Sequence, residues 1–306
     1  MAAPTPTSFP APIRATLDDL PPAAAAAIRS TRAVPEGGRR TTIEAAGVPF
    51  STLEWGAGSG RPLLLLHGVI ASARTFWRLG PALAATGFRV VAPDLPGHGR
   101  TGGGDDGRGF AFDETAGVVA AFARVTFAEH RPGDVAVVGH SWGSMLAARL
   151  PAAGYRPARI VLLDPPVMDR ARIEQMIAEE RPHASQESAL AAVREANPDW
   201  PEAELVVEAE SLTQFVPAAA LAVLLGNGDW DGAVSALEDP ALAGVPVWVV
   251  RGEPASGSLT PDATVPRLAA VAGPGHVLTI AGGPHSPQRT HIEATTLAIL
   301  RALGAD

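Results

Sequence analysis

The chain has no cysteine and no lysine; all 24 of its basic residues are arginine. Lacking cysteine, it has no disulfide framework, no thiolate metal site and no thiol nucleophile. Lacking lysine, it has neither a Schiff base nor a Ser-Lys dyad. Tyr155 is its single tyrosine. Apolar stretches such as Leu63 to Leu66 and Ala218 to Leu225 fall well short of the ~20 residues that cross a bilayer, so no membrane partner is expected. A net charge of −8 with scattered arginines leaves no basic stripe for a phosphate backbone, and nucleic acid is not an expected partner. The N-terminus has prolines and threonines instead of a basic region followed by an apolar core, so no secretory leader is read there. The expectation is a cytoplasmic protein. What remains is a chain of 306 residues, 46% hydrophobic, able to bury about 75% of its unfolded surface as one large domain or as a core with a lid.

Residues 1–38 are rich in proline and alanine, with one short helical pattern around Ala23 to Arg29, and read as a loosely structured extension without chemistry. From Thr41 onward short β-like runs alternate with turns and helical patterns, which predicts an α/β sheet. The expected strands are Thr41 to Ala45, Phe50 to Glu54, Leu63 to Leu66, Arg89 to Ala92, Val135 to Val138, Ile160 to Leu163, Val245 to Val250 and His276 to Ile280. Several are continuous apolar runs, as expected of parallel strands covered on both faces. Between Pro165 and Leu242 the β-like runs stop. Helical patterns over Met168 to Glu180, Ser185 to Ala196 and Pro201 to Ser211 predict an inserted lid. The organisation is therefore an extension (1–38), a core (39–164 and 243–306) and a helical cap (165–242).

Gly139-His140-Ser141-Trp142-Gly143 follows the apolar run Val135 to Val138 and precedes a helix-like segment. A serine hydroxyl is a poor nucleophile until it is exposed and hydrogen-bonded to a base, and a sharp strand-to-helix turn exposes it. Glycines at 139 and 143 would let strand and helix converge on that turn. Such a pentapeptide is common enough in a chain with 32 glycines that its context has to carry the reading. The context is consistent, because each reactive residue falls just past the carboxyl end of an expected strand, where open α/β sheets place their ligands. Ala281-Gly282-Gly283-Pro284-His285 follows the last strand and offers His285 as the base. The N–H groups of Trp142, after the nucleophile, and of Val69, in Leu66-His67-Gly68-Val69, are the expected oxyanion donors.

With these residues in place, the chain from about residue 41 resembles the α/β-hydrolase superfamily. Leu63-Leu64-Leu65-Leu66-His67-Gly68 is similar to its oxyanion strand and loop, and Ala92-Pro93-Asp94-Leu95-Pro96-Gly97-His98-Gly99-Arg100-Thr101 to the next strand-loop signature; the elbow and histidine loop fall in the family's order. The resemblance implies a mostly parallel central sheet flanked by helices, an inserted helical cap, and an architectural role for the 94–101 loop and His98. It also implies an acid within a Gly-x-x-Asp after the strand that follows the cap. Here that loop reads Gly252-Glu253-Pro254-Ala255, with alanine at the acid position. Two replacements are open: Asp164, at a strand end where some haloalkane dehalogenases carry their acid, and Glu253, two residues from the usual place. Haloalkane dehalogenases and epoxide hydrolases attack with aspartate where this chain has Ser141, and the proline iminopeptidases' glycine- and proline-rich oxyanion loop is replaced by His67 to Ser72. The resemblance implies a cofactor-independent serine hydrolase of a small or medium, mostly apolar ester or lactone. Carbon–carbon hydrolysis of a diketone-like substrate is the alternative, and a non-catalytic ligand binder the reading from another class. Ile173, Met176, Ile177, Leu205, Val206, Leu212, Phe215 and Val216 either line an apolar pocket or pack the lid.

Overall fold

The computed structural model describes residues 9–31, 38–179, 183–198 and 200–305. Its strands are β1 (Arg39–Ala45), β2 (Val48–Trp55), β3 (Arg61–Leu66), β4 (Phe88–Pro93), β5 (Ala136–His140), β6 (Arg159–Leu163), β7 (Val167–Met168), β8 (Trp230–Asp231), β9 (Val247–Arg251) and β10 (Val277–Thr279). Eight of them form one sheet in the order β1-β2-β4-β3-β5-β6-β9-β10. The β1–β2 and β2–β4 pairs are antiparallel and every other pair is parallel. All eight strands expected from the sequence are present, with ends that shift. Strand β5 runs on to His140 because Gly139 and His140 still pair with Leu162 and Leu163. Strand β9 starts at Val247, after Pro246, which has no N–H to give.

Consecutive residues of the central strands point to opposite faces. Leu63, Leu65, Val90, Val138 and Leu163 join the core that includes residues of α1 (Pro22–Ser30), α2 (Leu79–Ala84) and α12 (Ile292–Leu303). Leu64, Leu66, Val91, Val137 and Leu162 join the core that includes residues of α3 (Phe112–Thr126), α4 (Trp142–Ala147) and α10 (Val265–Ala272). Burial on both faces is why these strands read as unbroken apolar runs.

The N-terminal extension differs from expectation. Ile13 pairs with Ile280, its N–H donating to the Thr279 carbonyl at 2.7 Å and its carbonyl accepting from Ala281 at 3.0 Å. Leu20, Ala24, Ala25 and Ile28 are buried in the core beside α2 and α12. The alanines of α1 read as low-complexity sequence, yet their small side chains let the helix approach α2 closely. The described residues 9–31 are therefore docked; 1–8 and 32–37 lie outside the described residues.

Between β6 and β9 the chain forms α5 (Arg170–Glu179), α6 (Gln186–Ala196), α7 (Glu202–Ser211), α8 (Pro217–Leu225) and α9 (Val234–Leu237). Helix α5 starts two residues later than expected because Val167 and Met168 pair with Trp230 and Asp231; residue 180, its expected end, lies outside the described residues. Helix α8 was visible in the sequence only as an apolar stretch; Pro217 opens it, where a missing N–H costs nothing. Ile173 is buried in the main core, and Met176, Ile177 and Val216 pack against it. Acidic residues of α7 meet arginines of the core: Glu210 pairs with Arg74, and Glu208 with Arg289 at 2.6 Å.

Candidate active site

Ser141 stands between β5 and α4 at φ 53° and ψ −119°, a left-handed backbone that costs a non-glycine residue about 1–3 kcal/mol and persists only where its surroundings hold it. They do so here. A Cβ on Gly139 would lie 2.1 Å from the Gly143 carbonyl oxygen, and one on Gly143 would lie 2.2 Å from that of Leu66. Both flanking glycines are thus required by close backbone approach, and the turn lifts the hydroxyl off the strand end.

His285 is carried over that hydroxyl by the turn that follows β10. The Ser141 Oγ lies 3.0 Å from His285 Nε2, and His285 Nδ1–H donates to Asp164 Oδ2 at 2.7 Å. Asp164 follows β6, next to β5 in the sheet, and like Ser141 has a positive φ, 46°. Its carboxylate is fully buried, and an uncompensated buried charge costs several kcal/mol. The loop after β9 supplies the compensation. Gly252 N–H and Ser258 Oγ–H donate to Oδ1 at 2.9 and 2.5 Å, and Leu259 N–H donates to Oδ2 at 2.9 Å. Burial alone would raise the Asp164 pKa, but the His285 bond and charge, with the Ser258 and Gly252 donors, bring it below the ordinary carboxylate value.

Of the two open acids, the structure brings Asp164 to the imidazole and leaves Glu253 away from it. The Glu253 carboxylate instead accepts from Gly282 N–H at 3.0 Å, while its own N–H donates to the Gly283 carbonyl at 2.8 Å. The two loops touch so closely that a Cβ on Gly252 would lie 2.2 Å from the Gly283 oxygen. Glu253 is therefore a tie for the histidine loop. That backbone approach, absent from any residue pattern, turns its carboxylate to the Gly282 N–H.

Trp142 follows the serine as the first residue of α4, and Val69 follows Gly68 in the loop after β3. Gly68 sits against it, since a Cβ there would come within 3.0 Å of Ser141 Cβ and 3.4 Å of its Oγ. Neither the Val69 nor the Trp142 N–H has an acceptor among the described residues. The 67–69 turn is pinned from below. His67 Nδ1–H donates to the Gly68 carbonyl at 2.7 Å and Nε2 accepts from Leu95 N–H at 2.9 Å. Burial pushes the His67 pKa down to about 4, which keeps it neutral with that proton arrangement. Asp94 accepts from Ala73 N–H and Arg100 N–H, and His98 Nδ1–H donates to the Pro96 carbonyl; both are scaffold, as expected.

The sequence reading passed over Ser258 and Leu259 as partners of Asp164, and it passed over His140, whose ring lies 5.0 Å from that of His285. A serine in a polar loop carries no local signal of such a role. His140 had one, its place beside the nucleophile. No group of three or more potential metal ligands occurs among the described residues, and no described helix is long and apolar enough to cross a membrane.

Comparison with known proteins agrees with this architecture. A lipase of Mycobacterium tuberculosis, LipV, is 34% identical over 127 residues, 40% of this chain and 44% of its own length. A haloalkane dehalogenase of Mycobacterium marinum is 32% identical over 111 residues, 36% of each protein. The chain thus spans less than half the length of these curated relatives. Among solved structures, E-2-(acetamidomethylene)succinate hydrolase superposes with a TM-score of 0.70 at 21% identity, covering 87% of this chain and 99% of that one. At that identity the likeness is one of fold. The model of the α/β hydrolase family matches residues 63–296, which hold the elbow, the strand-end aspartate and the histidine loop, and the chain belongs to that family.

Proposed function

We propose that the protein hydrolyses a small or medium, mostly apolar carboxylic ester or lactone through an acyl-enzyme. The observation that carries this reading is the unbroken relay from Ser141 Oγ to His285 Nε2 and from His285 Nδ1 to Asp164, at 3.0 and 2.7 Å. Ser141 attacks the carbonyl carbon while His285 takes its proton, and the negative charge on the substrate oxygen faces the Val69 and Trp142 N–H groups. His285 then protonates the leaving alkoxide, which departs as the alcohol. Water, deprotonated by the same imidazole, cleaves the acyl-enzyme, and the acid leaves with Ser141 restored. Asp164 holds the ring in the tautomer that presents a bare Nε2 and stabilises the imidazolium. It does not accept the proton outright.

The test is turnover of p-nitrophenyl acetate and butyrate together with labelling by a serine-directed phosphonate. Wild type should turn over and be labelled at Ser141, and Ser141→Ala should lose about 10⁴-fold or more in kcat. A wild type that is inert and unlabelled overturns the reading in favour of a non-catalytic binder. Turnover of vinylogous diketones in place of esters moves it to carbon–carbon hydrolysis.

A further inference from the structure

His140 is the last residue of β5, buried, one position before the nucleophile. Its Nε2 lies 2.9 Å from the main-chain carbonyl oxygen of His285. A carbonyl only accepts, so Nε2 carries the proton and Nδ1 is bare. That Nδ1 has no hydrogen-bond partner among the described residues and faces Gly68, where a Cβ would approach it to 3.4 Å. Burial, followed by the nearby charge of His285, pushes the His140 pKa down to about 3. The ring therefore stays neutral in one tautomer at any ordinary working pH, which matters beside a second imidazole that becomes charged during turnover.

The segment His140 reaches needs an anchor. It enters through Gly282, at φ 69°, and Gly283, which restrain the backbone less than any other residue type. Glu253 ties residues 282 and 283, and Arg289 N–H donates to the Ser286 carbonyl on the far side. Between these ties the His285 carbonyl has no other donor among the described residues. We propose that His140 is a positioning residue: its Nε2–H fixes the His285 peptide from the core side, so that the imidazole keeps its bonds to Asp164 and Ser141 while its protonation changes. The inference rests on the reading of Ser141 and His285 as nucleophile and base.

Two variants of the full chain separate this role from simple packing. Gln places an amide N–H near the position of the imidazole Nε2–H, whereas Met fills similar volume without a donor. His140→Met should lower kcat on p-nitrophenyl butyrate by about 10–100-fold with KM within about twofold, because a displacement of the reacting group on the order of 1 Å costs that much. His140→Gln should recover most of the loss. In nitrogen-15-labelled protein, the far-downfield proton signal of His285 Nδ1–H, bonded to Asp164, should be sharp in wild type and His140→Gln and broadened or lost in His140→Met. Full kcat and a sharp signal in His140→Met overturn the proposal. So do equal losses in both variants with equally lowered melting temperatures, which leave His140 a packing role. If wild type hydrolyses no ester and resists phosphonate, the ester reading fails, and the Nδ1–H signal alone still decides the role of His140.

Discussion

Three carboxylates are closed off from solvent among the described residues; Asp94 braces the 94–101 loop, and the other two, Asp164 after β6 and Glu204 in the first turn of α7, with 0% and 1% of their surface exposed, make the instructive pair. Asp164 accepts three hydrogen bonds from the loop after β9 and a fourth from His285. Glu204 accepts one, from Trp77 Nε1–H at 3.0 Å; its Oε2 has no hydrogen-bond partner among the described residues, and nitrogens of Arg78 and Arg289 each stop 3.9 Å away. The outcomes diverge accordingly. Asp164 lies below the ordinary carboxylate value, whereas burial pushes Glu204 up to about 7 against the pull of Arg289 and Arg78. Burial acts on both groups in the same direction; the donors decide which one stays charged. The core thus holds a committed anion beneath its imidazole, and the seam between core and insertion holds a carboxyl that titrates near neutrality.

The largest expected effect comes from removing the committed charge. Asp164→Asn should lower kcat on an aryl ester by about 10³–10⁴-fold, because an amide cannot hold the imidazole in the required tautomer. Circular dichroism checks folding, and a loss under tenfold would strip Asp164 of the role proposed for it. Ser258→Ala deletes one donor and should cost about 1.5–3 kcal/mol of stability at neutral pH. The sign follows from the lowered pKa: stability from Asp164 is present above the unfolded value and lost as pH falls through the folded one. The gap between wild type and Ser258→Ala in urea titrations should therefore be full at pH 7 and close below about pH 4.

Glu204 has the opposite sign. Its folded pKa is raised, so the stability it contributes is complete below the unfolded value and lost as pH rises through about 7. Glu204→Gln should match wild type near pH 5 and gain on it by about 1–3 kcal/mol near pH 8, a few degrees in melting temperature. A gap that is flat with pH would mean that Glu204 is already charged at pH 5. The smallest effect is expected for Glu253→Gln. An amide oxygen still accepts from Gly282 N–H, so kcat should change by no more than about threefold; a collapse as deep as that of Asp164→Asn would make Glu253, and not only Asp164, a partner of the imidazole.

The sequence carried the sheet well because each central strand is apolar on both faces, and it pointed to Ser141 and His285, which the fold brings within 3.0 Å, because a tight strand-to-helix turn needs its glycines and a late histidine loop follows the last strand. It left the acid open. Choosing between Asp164 and Glu253 depends on where the backbone of residues 252–259 turns its N–H groups, and those groups are the same for every residue type but proline. Ala23 to Arg29 carried a helix but not its docking, since a run of alanines offers no apolar period to read. Helix α8 was missed for the converse reason: it is apolar nearly all round, so no amphipathic stripe marks it.

The pairing of Ile13 with Ile280, just past β10, has a consequence for how the folded protein behaves among its own copies. A sheet end with unused main-chain groups is a template on which another chain can add a strand. At one end of this sheet, β1 carries Arg39 and Arg40, paired with Glu54 and Asp94, which discourage such growth. At the other end β10 is three residues long and has no charge of its own; there a single residue brought from far away in sequence occupies the Thr279 carbonyl and the Ala281 N–H. The protein guards one edge with charge and the other with a piece of itself, and a chain shortened past Ile13 would present the second edge to its neighbours in every folded molecule.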